Sequence, residues 1–554
     1  VTGGAPGLEP DPPAPAEASP RRGGLLVPAH DDSRGGVTAI LAVAVILRLW
    51  QLGAQSLWTD EGSAWFAASL PFRDLIRFCV EKDASPPLFY FLTGIFLRLR
   101  DDEFGLRMVS ALAATALVWV TYRFARLFAD RRAATLAAAL MAIAPFQIMY
   151  AQEARSYMLV ALWTVLSLYL FARSVLLERP GAWTPLVAVT ALGLWTQSIF
   201  VLGLGVQAVF VVMTPAGRRN LPRWVLAMAI AFALYVPWIL LSMSHSDLGS
   251  SHWYVPKLHG HASFQVLRAL LLGPLSLVTP PAGATTPGLD HILPRAVAWL
   301  ILLATPLVPL AFVLPQLLRR DSAGAMLRFV LGALVLPLAA VFVVSFWRPL
   351  WLVRYFVFLT PMVAILVAAG VRGMRPRSLS MAWFALLLVV NGYATFRYYI
   401  DYSKEPWRAA AARIAADSDP SHTAVIVTFD PEAFGFYNRK LPQPYSVFAA
   451  AHPDVPFHDA YTPGQLDTIE QTLRDSTARF DETWVVVRSP NSPVRKEIVR
   501  RALSVAAIGR EGVLADSLPS VQGRLMIHHY RRLQPHTLAA DPSAADTLRV
   551  TPSR

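Results

Sequence analysis

The chain has 554 residues, 55% of them hydrophobic and only 16% charged, with a formal net charge of +13 and a mean hydropathy of +0.43. Soluble globular chains carry about 25% charged residues, so a large water-soluble core is excluded and many membrane spans are expected. The positive charge does not point to nucleic acid, because the arginines cluster in short stretches between apolar runs, where membrane topology already places them. The single cysteine, Cys79, excludes an intrachain disulfide and a cysteine metal cluster.

Residues 1–36 are rich in Pro, Ala and Gly and read as a disordered cytoplasmic tail. The apolar stretch that follows holds Arg48 and lacks a small-residue cleavage site, so it reads as a first span rather than a signal peptide. A span needs roughly 20 apolar residues, with about 17 as a lower limit. Nine stretches qualify, 37–53, 106–127, 133–150, 157–176, 224–243, 295–318, 325–346, 352–371 and 379–399, and the two shorter ones 182–197 and 199–214 bring the expected spans to eleven. The run 182–214 is split at Gln197–Ser198, and 86–97 is too short to cross and reads as an interfacial helix. Every second loop is arginine-rich: Arg123, Arg126, Arg131 and Arg132; Arg173 and Arg179; Arg218, Arg219 and Arg223; Arg319 and Arg320; Arg372, Arg375 and Arg377. With these inside, the N-terminus is cytoplasmic, and 54–105, 151–156, 244–294, 347–351 and 400–554 share the outer face. A site there has no access to cytoplasmic nucleotide sugars or ATP, so its substrate arrives already activated through the membrane.

The first outer loop holds Asp60 and Glu61 at the membrane boundary, marked by Trp50 and Trp58. Carboxylates there are costly unless used; alternatively Asp60 caps an amphipathic helix over 61–80 and Glu61 favours its positive end. Further on, Lys82 can meet a phosphate or sit in the headgroup region. Asp83 can ligate a divalent metal, although a lone carboxylate specifies none. Pro86 and Pro87 stop one helix and start another. Glu153 and Arg155, with Tyr157, place charge in an otherwise apolar outer turn, with an internal Glu153–Arg155 contact as the structural alternative. Arg354 sits inside the start of a span, where a phosphate would offset its burial unless it snorkels to the surface. His245, His252, His259 and His261 form no recognised metal spacing and read as solvated loop residues. Residues 400–535 read as a small α/β domain, with helices at 407–417, 462–474 and 493–506 and strands at 424–428 and 483–487; 536–554 reads as a disordered tail.

The ordered series Arg48-Leu49-Trp50, Ser56-Leu57-Trp58-Thr59-Asp60-Glu61, Pro86-Pro87-Leu88-Phe89-Tyr90, Arg107-Met108-Val109-Ser110-Ala111-Leu112, Gln152-Glu153-Ala154-Arg155-Ser156-Tyr157 and Arg354-Tyr355 resembles the GT-C membrane glycosyltransferases. Within them it is most similar to the group holding protein O-mannosyltransferases and lipid A aminoarabinose transferases, over roughly 37–400. The implied fold is an all-α polytopic membrane domain of about 11 transmembrane helices plus interfacial helices, followed by a small C-terminal α/β soluble domain. The implied donor is a polyprenyl-phosphate sugar, used outside the cytoplasmic membrane of a bacterium on a glycan, lipid or protein acceptor. Asp60, with Glu61 beside it, becomes the catalytic centre. Arg354, Lys82 and Arg155 become phosphate ligands, and Glu153, Tyr157 and Asp83 substrate ligands. No cofactor is required, with a divalent metal left open. The family often has His before the paired prolines where this chain has Ser85, which puts any role of that histidine in doubt. A transporter or lipid flippase, a ligase of preassembled lipid-linked glycans and a non-catalytic scaffold remain as alternatives. A transporter would show ionisable residues at mid-membrane in repeated broken helices, which the sequence does not.

Overall fold

Helices form where the apolar runs are; some end at a proline or an isolated polar residue, as at Pro71, Pro145 and Gln197, while Pro222, Pro237, Pro306, Pro309 and Pro337 lie inside continuous helices. A computed structural model describes residues 35–83, 85–179, 181–243, 260–279, 285–429, 431–451, 461–488, 493–521 and 523–532. Residues 1–34 and 536–554 of the expected tails, His245, His252, His259 and the side chain of Lys82 lie outside the described residues, while Gly35 and Gly36, expected in the N-terminal tail, begin the first helix. The chain opens with α1 (Gly35–Leu49), α2 (Thr59–Ser69), α3 (Phe72–Phe78), α4 (Leu88–Leu99) and α5 (Glu103–Ala125). Next come α6 (Arg131–Ile143), α7 (Pro145–Ala151), α8 (Tyr157–Phe171), α9 (Trp183–Thr196), α10 (Val201–Met213) and α11 (Pro215–Met243). Helices α12 (Gly260–Leu272), α13 (Arg295–Ala311), α14 (Leu314–Leu317), α15 (Ser322–Val344), α16 (Thr360–Gly373) and α17 (Arg377–Asp401) complete the membrane part.

Each of the eleven expected spans is helical, but not each is long enough to cross. Among the described residues seven helical segments are long and apolar enough, or eight if the bent pair α6–α7 counts as one span. That pair turns by 53° at Ala144–Pro145, because proline supplies no N–H to continue the ladder. Helix α1 and the pair α9–α10, broken at Gln197, stay short, so the count of eleven is not reached. The expected helix over 61–80 is likewise interrupted at Leu70–Pro71. Helix α11 begins at Pro215, ahead of the expected 224, which draws Arg218, Arg219 and Arg223 into its first turns. Helix α8 is buried on all sides, whereas α11 and α17 expose most of their apolar surface, as lipid-facing helices do.

Beyond α17 lie α18 (Trp407–Asp417), β1 (Thr423–Val427), α19 (Glu432–Asn438), β2 (Ser446–Ala449), α20 (Pro463–Thr477), β3 (Glu482–Arg488), α21 (Pro493–Ala506), β4 (Arg510–Leu518) and β5 (Leu525–Arg532). The five strands run in the order β2-β1-β3-β5-β4, with β1 parallel to β2 and β3 and the remaining pairs antiparallel. Strand β3 is buried on both faces. One face carries Trp484 and Val486 onto Trp407, Phe434 and Phe436, a core that also takes in Leu57, Leu106 and Ala154 from the membrane part. The other puts Val485 and Val487 against α20 and α21. Strands β2, β4 and β5 and helix α19 were not anticipated.

Ion pairs sort the loops into two ends. At one end Arg372 reaches Asp130 at 2.7 Å and Arg219 reaches Glu178 at 3.0 Å, so four of the arginine-rich segments are joined pairwise. At the other end Arg408 reaches Glu103 at 2.5 Å and Arg439 reaches Asp101 at 2.6 Å. Helix α5, of 23 residues, connects the two ends and is about 35 Å long at 1.5 Å per residue. The loop 126–131 and the C-terminal sheet therefore lie at opposite ends of α5, which is long and apolar enough to cross a bilayer. In a Cys79→Ala background, cysteines at Arg132 and at Ser421 should react with an impermeant thiol reagent from opposite sides of sealed vesicles. Reaction of both from one side would refute this arrangement.

Candidate active site

Two adjacent carboxylates at the start of a helix cannot face the same way, because successive residues are separated by about 100° around the axis. Asp60 and Glu61 occupy the first turn of α2, and they divide accordingly. Glu61 turns inward and is fully buried. Its two oxygens accept from Arg107 Nε and Nη2, both at 2.7 Å, in a bidentate pair. Oε1 also accepts from Lys404 Nζ at 3.0 Å and from the Ala154 N–H at 2.9 Å. Burial alone would raise the carboxyl; the Arg107 and Lys404 charges and these hydrogen bonds overcome it and hold it down to about 2. Lys404 is lowered to about 8 by its own burial and by Arg107 beside it, against the pull of Glu61. Glu61, expected beside the reacting atoms, is instead enclosed with its lone pairs engaged.

Asp60 points outward and keeps about a quarter of its side-chain surface accessible. It does not cap α2; the cap position is Trp58, which offers no side-chain acceptor. Its Oδ2 lies 3.2 Å from Arg354 Nη1, which comes from the seven-residue 3₁₀ segment that opens the apolar span ending in α16, so Arg354 lies at the start of a span as expected. The Arg354 guanidinium also stands 5.9 Å from the ring centre of Tyr157. Arg155 approaches the same ring at 5.9 Å, so two guanidinium groups flank one tyrosine. Arg155 Nε is buried without a hydrogen-bond partner among the described residues.

The turn 152–156 follows the end of α7, whose bend at Pro145 aims it at the first outer loop. It also brings Glu153, which is buried and has no hydrogen bond or ion pair to its carboxyl among the described residues. Burial pushes Glu153 up to about 7, with Glu61 and Asp60 adding to the shift and Lys404 and Arg354 opposing it. The alternative contact with Arg155 reduces to a backbone bond, the Arg155 N–H donating to the Glu153 carbonyl at 2.9 Å. Asp83 lies at the margin, accepting from the Tyr90 hydroxyl at 2.7 Å. Asp60, Arg354, Arg155, Tyr157 and Glu153 thus gather at one place. Among the described residues no three His, Cys, Asp or Glu side chains are close enough together to hold a metal ion.

Arg107 and Lys404 were missed as partners of the site. Arg107 carried a signal, since a guanidinium one turn inside a span demands a counter-ion. Lys404 carried only its rarity, one of five lysines in the chain. The arrangement offers an accessible carboxylate able to take a proton, flanked by arginines suited to a phosphate.

The fold has counterparts among known proteins. ArnT from Cupriavidus metallidurans in the apo state superposes with a TM-score of 0.56 at 15% identity, over 89% of this chain and 98% of that one. The same protein bound to undecaprenyl phosphate gives 0.52 at 14% identity, over 90% and 98%. The apo oligosaccharyltransferase of Archaeoglobus fulgidus gives 0.52 at 13% identity, over 87% and 73%. The chain therefore has the GT-C fold of membrane glycosyltransferases, as its motif series implied. Within that fold, residues 84–241 match the sequence model of the family described as dolichyl-phosphate-mannose-protein mannosyltransferase. No curated protein sequence matches the chain significantly.

The two buried glutamates should respond to pH in opposite senses. Glu61, lowered to about 2, contributes stability that is present above about 4.5 and lost as pH falls through about 2. Glu61→Gln leaves Arg107 and Lys404 buried without their anion and should cost about 3–5 kcal/mol at neutral pH, read as a large fall in Tm. Glu153, raised to about 7, favours the fold below about 4.5 and loses that contribution as pH rises through about 7. Glu153→Gln should therefore stabilise the fold at pH 8 by up to about 3 kcal/mol, read as a rise in Tm, and leave Tm unchanged at pH 4.

Proposed function

We propose that the chain transfers a sugar from a polyprenyl-phosphate donor to an acceptor hydroxyl on the outer face of the membrane. Asp60 acts as the general base in a single displacement. The observation that carries this reading is the Asp60–Arg354 pair at 3.2 Å, which sets an accessible carboxylate beside a cation with Arg155 and Tyr157 adjoining. Asp60 takes the acceptor proton as the acceptor oxygen attacks the anomeric carbon. The bond from that carbon to the phosphate oxygen breaks, and polyprenyl phosphate leaves with its electron pair. The leaving group needs positive charge more than a proton, which Arg354 and Arg155 supply. One displacement inverts the anomeric centre. Glu153 and Tyr157 border the sugar. Glu61 acts by holding the first outer loop rather than by touching substrate, and the undescribed Lys82 side chain is given no part. The charge asymmetry of the loops supports a cytoplasmic Arg123–Arg132 face and an extracytoplasmic C-terminal sheet, with a bacterial cytoplasmic membrane as the setting.

Purified protein supplied with a panel of polyprenyl-phosphate sugars should transfer one of them. A ligase of preassembled glycans, a function the oligosaccharyltransferase of similar fold bears in its name, would instead require an oligosaccharide donor. Asp60→Asn preserves shape and should lower kcat by roughly 10²–10⁴-fold, with donor affinity unchanged. Near wild-type turnover by a folded Asp60→Asn protein would refute the assignment of the base. Arg354→Ala should weaken donor binding more than acceptor binding; unchanged donor affinity would remove Arg354 from the phosphate site.

A further inference from the structure

The start of α2 lacks its own cap. The first N–H groups of a helix have no partner within it and are normally met by Ser, Thr, Asp or Asn at the cap position. Here that position is Trp58. The missing acceptor comes from Glu405, 346 residues away and just beyond α17. Glu405 Oε2 accepts from the Thr59 N–H at 3.0 Å and from the Thr59 hydroxyl at 2.7 Å, and also from Trp407 Nε1 at 2.9 Å. Its other oxygen accepts from Arg488 Nε at 2.6 Å, at the end of β3 in the C-terminal sheet. Glu405 is almost wholly buried, so Arg488 supplies the charge that offsets its desolvation.

A second contact, independent of this one, joins the same turn to the sheet. A Cβ at Gly62 would stand 2.4 Å from the Ala433 backbone nitrogen, so glycine alone permits α19 to pack backbone to backbone on α2. On the same helix Tyr437 accepts from the Leu57 N–H at 2.7 Å. The residues on both sides of Asp60 are thereby fixed by parts of the chain beyond residue 400. Asp60 itself makes none of these contacts.

We propose that Glu405 and Arg488 are positioning residues: through them the C-terminal sheet sets the first turn of α2 and so the direction of the Asp60 carboxylate. This gives the C-terminal part a role in the reaction itself, and it rests on Asp60 being the base. A displacement of about 1 Å in a reacting group can cost on the order of 100-fold in rate. The hydrogen-bond partners of the Glu405 carboxylate, namely Thr59, Trp407 and Arg488, do not belong to the phosphate side, so donor binding should be little affected.

The test uses the full chain and the variants Arg488→Ala, Arg488→Lys and Glu405→Gln. Two measurements are made: amide hydrogen exchange over 56–66, and kcat and KM with whichever polyprenyl-phosphate sugar the wild type accepts. Exchange at Thr59–Gly62 should rise in Arg488→Ala and Glu405→Gln while helices α8 and α16 stay protected. In the same variants kcat should fall roughly 10- to 100-fold with donor KM within about twofold. Arg488→Lys, which keeps a cation at this carboxylate, should recover most of kcat. Unchanged exchange at Thr59 would overturn the clamp. Raised exchange with wild-type kcat would overturn its link to Asp60, as would equal losses in all three variants that follow only the folded fraction. If the wild type transfers no sugar from any such donor, the proposed function fails and the link to catalysis fails with it; the exchange measurement still decides whether the clamp exists.

Discussion

The Glu61 carboxylate, buried between Arg107 and Lys404, is the constraint on which the rest of the site depends. An ion cluster with no water around it survives only if each partner is held in place. Three parts of the chain meet that requirement together: the first outer loop carries the anion, α5 one cation, and the segment after α17 the other. Lys404 Nζ also donates to the Gln152 carbonyl at 2.7 Å, which draws in the turn bearing Glu153 and Arg155. The geometry of the outward-facing groups follows from an inward-facing one that touches none of them.

Adjacent acidic residues are easily read as a catalytic pair. Here the helix separates them by face, and their environments separate them by task. One is locked in its charged form by two cations; the other stays accessible beside a single arginine. A third carboxylate, Glu153, is buried with no cation bonded to it among the described residues, and its burial raises its pKa to about 7. Three acids within one small region thus experience three different electrostatic settings, each traceable to what lies within hydrogen-bond reach.

The membrane helices were legible because each is a long apolar run, and the two-sided arginine pattern survives in the ion pairs Asp130–Arg372 and Glu178–Arg219. Span lengths were less legible. Ala144–Pro145, Gln197 and Leu70–Pro71 break helices inside stretches that hydropathy alone joins together. Strand β4 escaped notice because Arg510–Leu518 is largely exposed and mixes polar with apolar residues, and β5 because its apolar run, Leu525–Ile527, is only three residues long before His528 and His529. Asp60, Arg155, Glu153, Tyr157 and Arg354 were identifiable as charge or aromatic groups out of place at a membrane edge. Their partners were not, because Lys404 and Glu405 lie in a segment of ordinary polarity. Only the three-dimensional path of the chain shows that they answer Glu61 and Thr59.

The distance along the chain between these partners bears on how the protein is made. Glu61 is separated from Lys404 by 343 residues. At a synthesis rate of about 5–20 residues per second, the loop that holds Glu61 waits roughly 20–70 s before its lysine emerges. During that interval the bundle is inserted with an incompletely neutralised acidic segment at its edge. The site can close only after the last membrane helix is in place and the segment beyond it has reached the same side. On the proposed function, activity is therefore acquired late in biogenesis, and a chain interrupted between the end of α17 and residue 404 would carry every membrane helix yet lack the cation that closes the site.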